Sequence, residues 1–145
     1  MSHIRKQIRD AVAALVTGLP LTGANVFVSR SIAVAKEQRP ALCIYTLEEA
    51  SGLDGSAQGL RREVTVIINI VLHARDSFDD DVDAIAVNVE TAMAAQRTLG
   101  GLAYDCVLQS TRIGLQGQGE NTVALAEMSF LATTRTAITN PQATY

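Results

Sequence analysis

The clearest periodic signal in the chain lies at 61–74, "RREVTVIINIVLHA", where Val64, Val66, Ile68, Ile70 and Leu72 occupy alternate positions. Side chains two apart share one side of an extended strand, so this stretch predicts a β-strand with one buried face. Its other face, Glu63, Thr65, Ile67, Asn69 and Val71, is mixed rather than plainly polar. A second strand is predicted at 41–49, "ALCIYTLEE": Pro40 disfavours helix just before it, and β-formers follow. Between the two, "ASGLDGSAQGL" holds three glycines and two serines and reads as a mobile hairpin loop over 50–60. Helical spacing appears twice. Ile4, Ile8, Ala11, Val12 and Leu15 make one face of a first helix that Ser2 can cap and that "TGLPLTG" at 17–23 ends. Phe78, Val82, Ile85, Val89 and Met93 make one face of a second helix over about 78–96.

The remaining segments are read more coarsely. "NVFVSR" at 25–30 is short and rich in β-formers, and "SIAVAKEQR" at 31–39 either extends it or forms a connecting arm. "LGGLAYDCVLQSTRIGLQ" at 99–116 predicts a turn and a strand, "GQGEN" at 117–121 a hairpin turn, and "TVALAEMSFLATTRT" at 122–136 the last strand. The tail from 136 to 145 carries no period and is expected to be loose or docked on a partner. The expected fold is α+β: one domain spanning 1–145, with a single mixed, mostly antiparallel sheet of four to five strands and two main helices on one face.

The second helix begins in "DSFDDDVD", five aspartates between Asp76 and Asp83, which raises a metal site. Asp79, Asp81, Asp83 and Glu90 fall at positions one, three, five and twelve of a calcium-binding loop, but Ala84 stands at position six, where that loop needs glycine. The apolar face from Phe78 to Met93 also runs without interruption through the would-be loop, and a chain cannot wrap an ion and stay helical over the same residues. The acids instead suit a helix start: Ser77 with Asp80 fits a capping box, and the other aspartates meet the positive end of the helix dipole.

Composition narrows the classes further. Apolar residues make up 48% and charged residues 19% of 145, as in a globular domain. A net charge of -3, no tryptophan and 4% aromatics speak against sequence-specific nucleic-acid binding, which uses a basic stripe and stacking rings. The longest apolar-rich run, 64–72, is about half of the ~20 residues a membrane helix needs, and no signal-peptide pattern follows the basic N-terminus, so no membrane partner and synthesis in a cytoplasm are expected. Cys43 and Cys106 are isolated and read as free core thiols.

No catalytic constellation emerges, and neither a cofactor nor a metal is expected. His3 lies near a free end and His73 closes a strand. "GSAQG" at 55–59 has its serine in the wrong place for a nucleophile elbow, and "GQGENT" at 117–122 lacks the third glycine of a dinucleotide fingerprint and leads into a strand. Glu48 and Glu49 are adjacent on a strand, point to opposite faces, and read as a solvated strand end. Arg61 and Arg62 are either a partner contact or a charged edge that discourages strand pairing. What stands out is apolar strand surface. With two helices on one face, the partly apolar second face needs cover from a loop or another subunit.

The order of a helix, "RPALCIYTLEEA", "RREVTVIINIVLHARD", "FDDDVDAIAVNVETAM", "TLGGLAYDCVLQSTRIG" and a closing strand resembles the tail terminator proteins of long-tailed bacteriophages, with which minor tail proteins of similar size are grouped. The resemblance covers about 39–135 and rests on arginine-proline before an apolar strand, the acidic start of the second helix, and "LGGLAYD" after it. The chain departs from the pattern where "TTRT", with Arg135, replaces an aromatic near the end of the last strand. The resemblance implies a non-enzymatic virion protein at the head-proximal end of the tail, made in the host bacterial cytoplasm. Such a protein forms a six-membered ring of its own copies on the tail tube protein, halts tube growth and offers a surface to the head-completion protein. Asp54, Arg61, Arg62, Ile67, Val71 and Arg135 are the candidate assembly residues, with the 50–60 loop and the 136–145 tail. The alternatives are a small α+β ligand-binding or regulatory module and an undetected enzyme.

Overall fold

A computed structural model describes residues 1–28, 34–55, 58–117, 119 and 122–144. The elements in order are α1 (Ile4–Val16), β1 (Val26–Phe27), β2 (Ala41–Leu53), β3 (Gly59–His73), α2 (Phe78–Ala94), β4 (Asp105–Gln116), β5 (Val123–Ala137) and β6 (Asn140–Thr144), with short 3-10 turns at Lys36–Gln38 and Leu99–Gly101. The strands form one six-stranded sheet in the order β1-β2-β3-β5-β4, with β6 paired to β5 off that path. Only β1 with β2 is parallel among the pairings of the described residues. The class is α+β, but the sheet is larger than the four to five strands expected.

Alternation on β3 sets the core. Val64, Val66, Ile68, Ile70 and Leu72 are buried on one face and belong to one apolar cluster with Ile4, Ile8, Val12 and Val16 of α1 and Val82, Ile85, Val89 and Met93 of α2. Both helices thus lie on the same face. The alternate residues of β5 join them, from Ala124 to Ala132, with Phe130 2% exposed at the centre. Full burial of each large aliphatic or aromatic side chain contributes about 1.5–3 kcal/mol, which explains why the strands obey the period-2 pattern so strictly here.

Several expectations change. The hairpin loop expected over 50–60 is mostly strand, since β2 runs on through Leu53 and β3 starts at Gly59. The reason lies in β5, which pairs with β3 all the way from Gly59↔Ala137 to His73↔Val123 and so templates the glycine-rich end. Residues 56 and 57 of that loop lie outside the described residues. The tail is not loose over 136–144 either, because β5 continues through Ala137 and β6 folds back on it, with Thr136↔Thr144 and Ala137↔Asn140 in register. Gln7 of α1 donates to the Gln142 carbonyl at 2.7 Å and holds that strand down. Tyr145, residues 29–33 of the segments read at 25–39, and residues 118, 120 and 121 of the "GQGEN" turn lie outside the described residues.

The helix starts also differ from expectation. His3, not Ser2, caps α1, its Nδ1 accepting from the Arg5 amide at 3.1 Å. α2 is continuous through the aspartates, as its apolar face requires, with Asp79, Asp80 and Asp81 in the first turn. Ser77 precedes it without a side-chain cap: at φ -102°, ψ 23° it lacks the extended backbone that turns an N-cap hydroxyl toward the helix amides. After α2, Gly100 and Gly101 at φ 69° and 96° make the turn into β4, left-handed backbone that glycine adopts without a Cβ penalty.

Candidate assembly surfaces

Four of the six candidate residues engage partners inside the chain. Arg62 sits on the central strand β3, not on an edge, and is 6% exposed. Its Nη1 lies 2.9 Å from Glu49 Oε2 and its Nε donates to Thr136 Oγ1 at 3.0 Å. Glu49 is therefore not a solvated strand end: its Oε1 also meets Arg5 Nη1 at 2.8 Å, and the Ser51 hydroxyl donates to its Oε2. Glu49 and Ser51 lie on the same face of β2, opposite Val64 and Arg62 of β3, so hairpin register brings the acid and the base diagonally together. The cluster ties the start of α1 to the hairpin and to the end of β5.

Charge in this cluster shows in the protonation of its members. Burial pushes the Glu49 carboxyl up, but hydrogen bonds from Ser51 and Arg5 and the charges of Arg62 and Arg5 outweigh it and leave the carboxyl below its ordinary value. His3 is held below its ordinary value by burial first, then by Arg5 and Arg62, with Glu49 opposing. A neutral ring is what its role as acceptor at the α1 cap demands.

The candidates Asp54 and Arg135 are partners: the Arg135 guanidinium pairs with the Asp54 carboxylate across the hairpin tip. Gly59 makes room for this, since a Cβ there would fall on the Asp54 carboxylate. Arg61 stays exposed and meets Glu63 on its own strand at 3.1 Å.

Ile67 and Val71 were expected to be covered by another subunit, yet they are 2% and 8% exposed in the single chain. In the sheet Ile67 stands between Tyr45 and Ser129, and Val71 between Ala41 and Leu125. That expectation is revised: these two side chains have little surface left to offer. Beside them, Asn69 Oδ1 is shielded from solvent and finds no donor among the described residues.

Open apolar surface lies partly on the outer strands and partly elsewhere, at Leu21, Val28, Tyr104 and Ile138. Leu47 and Leu53 on β2, and Ile113 and Leu115 on β4, are exposed, as is Val87 on α2. The periodicity of the sequence did not single out these residues, because the pattern marks which face of a strand is buried, not which strand ends up outermost.

Other groups carry less chemistry. Cys43 and Cys106 are free and buried; burial raises the Cys43 thiol, and burial with the Asp105 charge pushes Cys106 up to about 12, so neither is a thiolate near neutrality. Among the described residues no three His, Cys, Asp or Glu side chains gather as metal ligands. Asp81 of the acidic helix start pairs with Arg75, 3.1 Å away. A cleft of about 370 Å³, lined by Leu21, Pro40, Leu72, His73, Arg75 and Asp81, opens between α2 and the end of β3. Among the described residues no helix is long and apolar enough to cross a membrane.

Comparison with known proteins adds little. No family model and no curated protein matches the chain. Among solved structures, a chain of the "Virion of native gene transfer agent (GTA) particle" is similar at 13% identity, over 92% of this chain and 92% of that one, with a TM-score of 0.42.

Proposed function

We propose that this chain is a structural protein of a phage-type virion, a tail terminator. In this reading its copies form a ring on the last ring of the tail tube, stop tube polymerisation and present a surface for joining to the head. The supporting observation is the placement of exposed apolar side chains along both outermost long strands, Leu47 and Leu53 on β2 and Ile113 and Leu115 on β4. Exposed apolar residues on strand edges favour association over solubility, and a protein that leaves them on two opposite flanks has two surfaces with which to meet neighbours. The element order that carries the resemblance to terminators supports the same reading. The test is deletion of the gene in a phage-producing host. Free heads and overlong tubes are expected, and normal virions would refute the proposal.

A second reading, a ligand-binding module, has one observation in its favour: the cleft beside α2 falls in the size range of small-molecule sites, with His73, Arg75 and Asp81 at its wall. Saturable binding of a metabolite there, abolished by Ala84→Trp at the cleft wall, would favour it.

A further inference from the structure

We infer that two copies of this chain pair through β4, the outer edge of one adding antiparallel to the same edge of the other about a two-fold axis at Ile113. The inference goes beyond the assembly reading: it names a contact between copies whether or not they also close into a ring.

The second half of β4 is a bare edge. Every residue from Gln109 to Gln116 is exposed, on both faces of the strand. The β5 residues beside them on the helix face, Ala124, Ala126 and Met128, are fully buried. α2 meets β4 near its start, where Met93, Ala94 and Arg97 line a space with Cys106, Val107 and Leu108. Beyond the bulge at Leu108/Ser110 the strand runs unbroken from Ser110 to Gln116, with no described strand on its outer side. An unpaired edge offers a row of amides and carbonyls to an incoming strand, and lysine or proline would blunt it. This run has neither, and it shows Ile113 at 43% and Leu115 at 58% exposure.

Gly114, near the middle of the run, points to another backbone. Glycine weakens a strand interior, and the reasons to keep it there are a positive φ, a bulge, or the close approach of a second chain. Gly114 has no positive φ, and the bulge of β4 lies elsewhere. A Cβ at Gly114 would meet nothing within 4 Å. Only the third reason remains, and the single chain does not supply it.

The order of residues in the run makes a second β4 the occupant. Centred on Ile113, the antiparallel pairing uses the whole run. It sets Ile113 against Ile113, Thr111 against Leu115, Arg112 against Gly114 and Ser110 against Gln116 of the second copy. Ile113 and Leu115 stand beside Ala126 and Ala124 on the helix face, so the aliphatic side chains of both copies meet there. On the opposite face Arg112 falls against a residue without a side chain, with Glu127 of its own β5 at its other side. An axis moved by one residue, to Arg112, would set arginine on arginine, which like-charge repulsion disfavours. Ile113 is level with Ala126 and Ile70, near the end of the sheet where β3 finishes, so the two bodies extend in opposite directions from the shared run.

The experiment places charge on the axis. In the full chain, Ile113→Lys and Ile113→Glu each set like charges together, because this position faces itself, while an equimolar mixture of the two sets opposite charges together. The position is exposed, and far-UV circular dichroism checks that both variants fold. Sedimentation velocity over a concentration series should show the unmodified chain pairing, as a dimer or, where rings form, as two rings joined. Either variant alone should lose pairing by about tenfold or more, and the mixture should regain about tenfold over either. Leu53→Lys, on β2, should pair as the unmodified chain does. An unmodified chain that never pairs, a charged variant that pairs undiminished, or loss of pairing in Leu53→Lys would overturn the inference. So would a mixture no better than its components, which would mean that Ile113 faces some other residue. Gene deletion reads the terminator proposal separately: overlong tubes without pairing reject this contact alone, and pairing with normal virions rejects the terminator alone.

Discussion

Removing one member of the Glu49–Arg62 pair should cost far more than removing both, and the two single losses should be unequal. The side chain of Arg62 is 8% exposed and that of Glu49 10%, so both charges depend on protein partners. In Glu49→Leu, Arg62 keeps only the Thr136 hydroxyl, a neutral acceptor. A buried charge left so poorly compensated costs about 3 kcal/mol, at the low end for a broken buried pair because Thr136 still accepts. In Arg62→Met, Glu49 retains Arg5 at 2.8 Å, so the loss is smaller, about 1–2 kcal/mol. The double variant Glu49→Leu/Arg62→Met leaves no buried charge, and Arg5, with its side chain 40% exposed, returns to water. It should lie within about 1 kcal/mol of the unmodified chain, which gives a coupling of about 3–6 kcal/mol. Urea unfolding of all four proteins, followed by circular dichroism at the lowest workable concentration, measures the cycle. Below about pH 4.5 the unmodified chain should also lose stability as Glu49, its carboxyl held low in the fold, takes up a proton; the double variant should not show this component. Additive single effects, or Arg62→Met as the costlier change, would refute the assignment of Arg62 as a buried partner of Glu49.

Two further outcomes test single features. The His3 imidazole binds a proton less readily in the fold than in the unfolded chain. Its contribution is therefore complete above about pH 6.5 and is lost as pH falls from there through the lowered folded value. The Tm of the unmodified chain should fall more between pH 7.5 and 5.5 than that of His3→Asn, which keeps a cap acceptor that does not titrate; equal slopes would refute the cap. Asn69→Val removes a shielded oxygen that has no partner among the described residues and should raise stability by about 1 kcal/mol in the same urea assay, whereas a loss would show that Asn69 has a partner.

Which parts of this fold could be read from sequence follows from how each is encoded. The faces of α1, α2 and β3 were legible because one buried face imposes a period, and Val64 to Leu72 or Phe78 to Met93 carry it without interruption. The continuous helix through Asp79, Asp81 and Asp83 was legible for the same reason. β1 was legible only as the short stretch of β-formers at 25–30, and β6 was not, because the proline-containing "NPQAT" holds no period; both are held as strands by their neighbours β2 and β5. Arg62 misled as a charged edge, although a signal was present: folding the predicted hairpin about 54–58 puts Glu49 and Arg62 on one face. The Asp54–Arg135 pair had no such local signal, since it depends on the register of β5 against β3. Ile67 and Val71 illustrate the opposite error: the mixed face was read correctly, but period alone does not say which of its side chains the folded chain leaves exposed.

Negative-stain imaging of the purified full chain, over a concentration series, tests most directly whether its work is done by fitting copies together. Closed rings of one diameter, growing in number but not in size as concentration rises, are expected. A chain that remains a single small particle at every concentration and binds a metabolite in the cleft beside α2 would contradict the account.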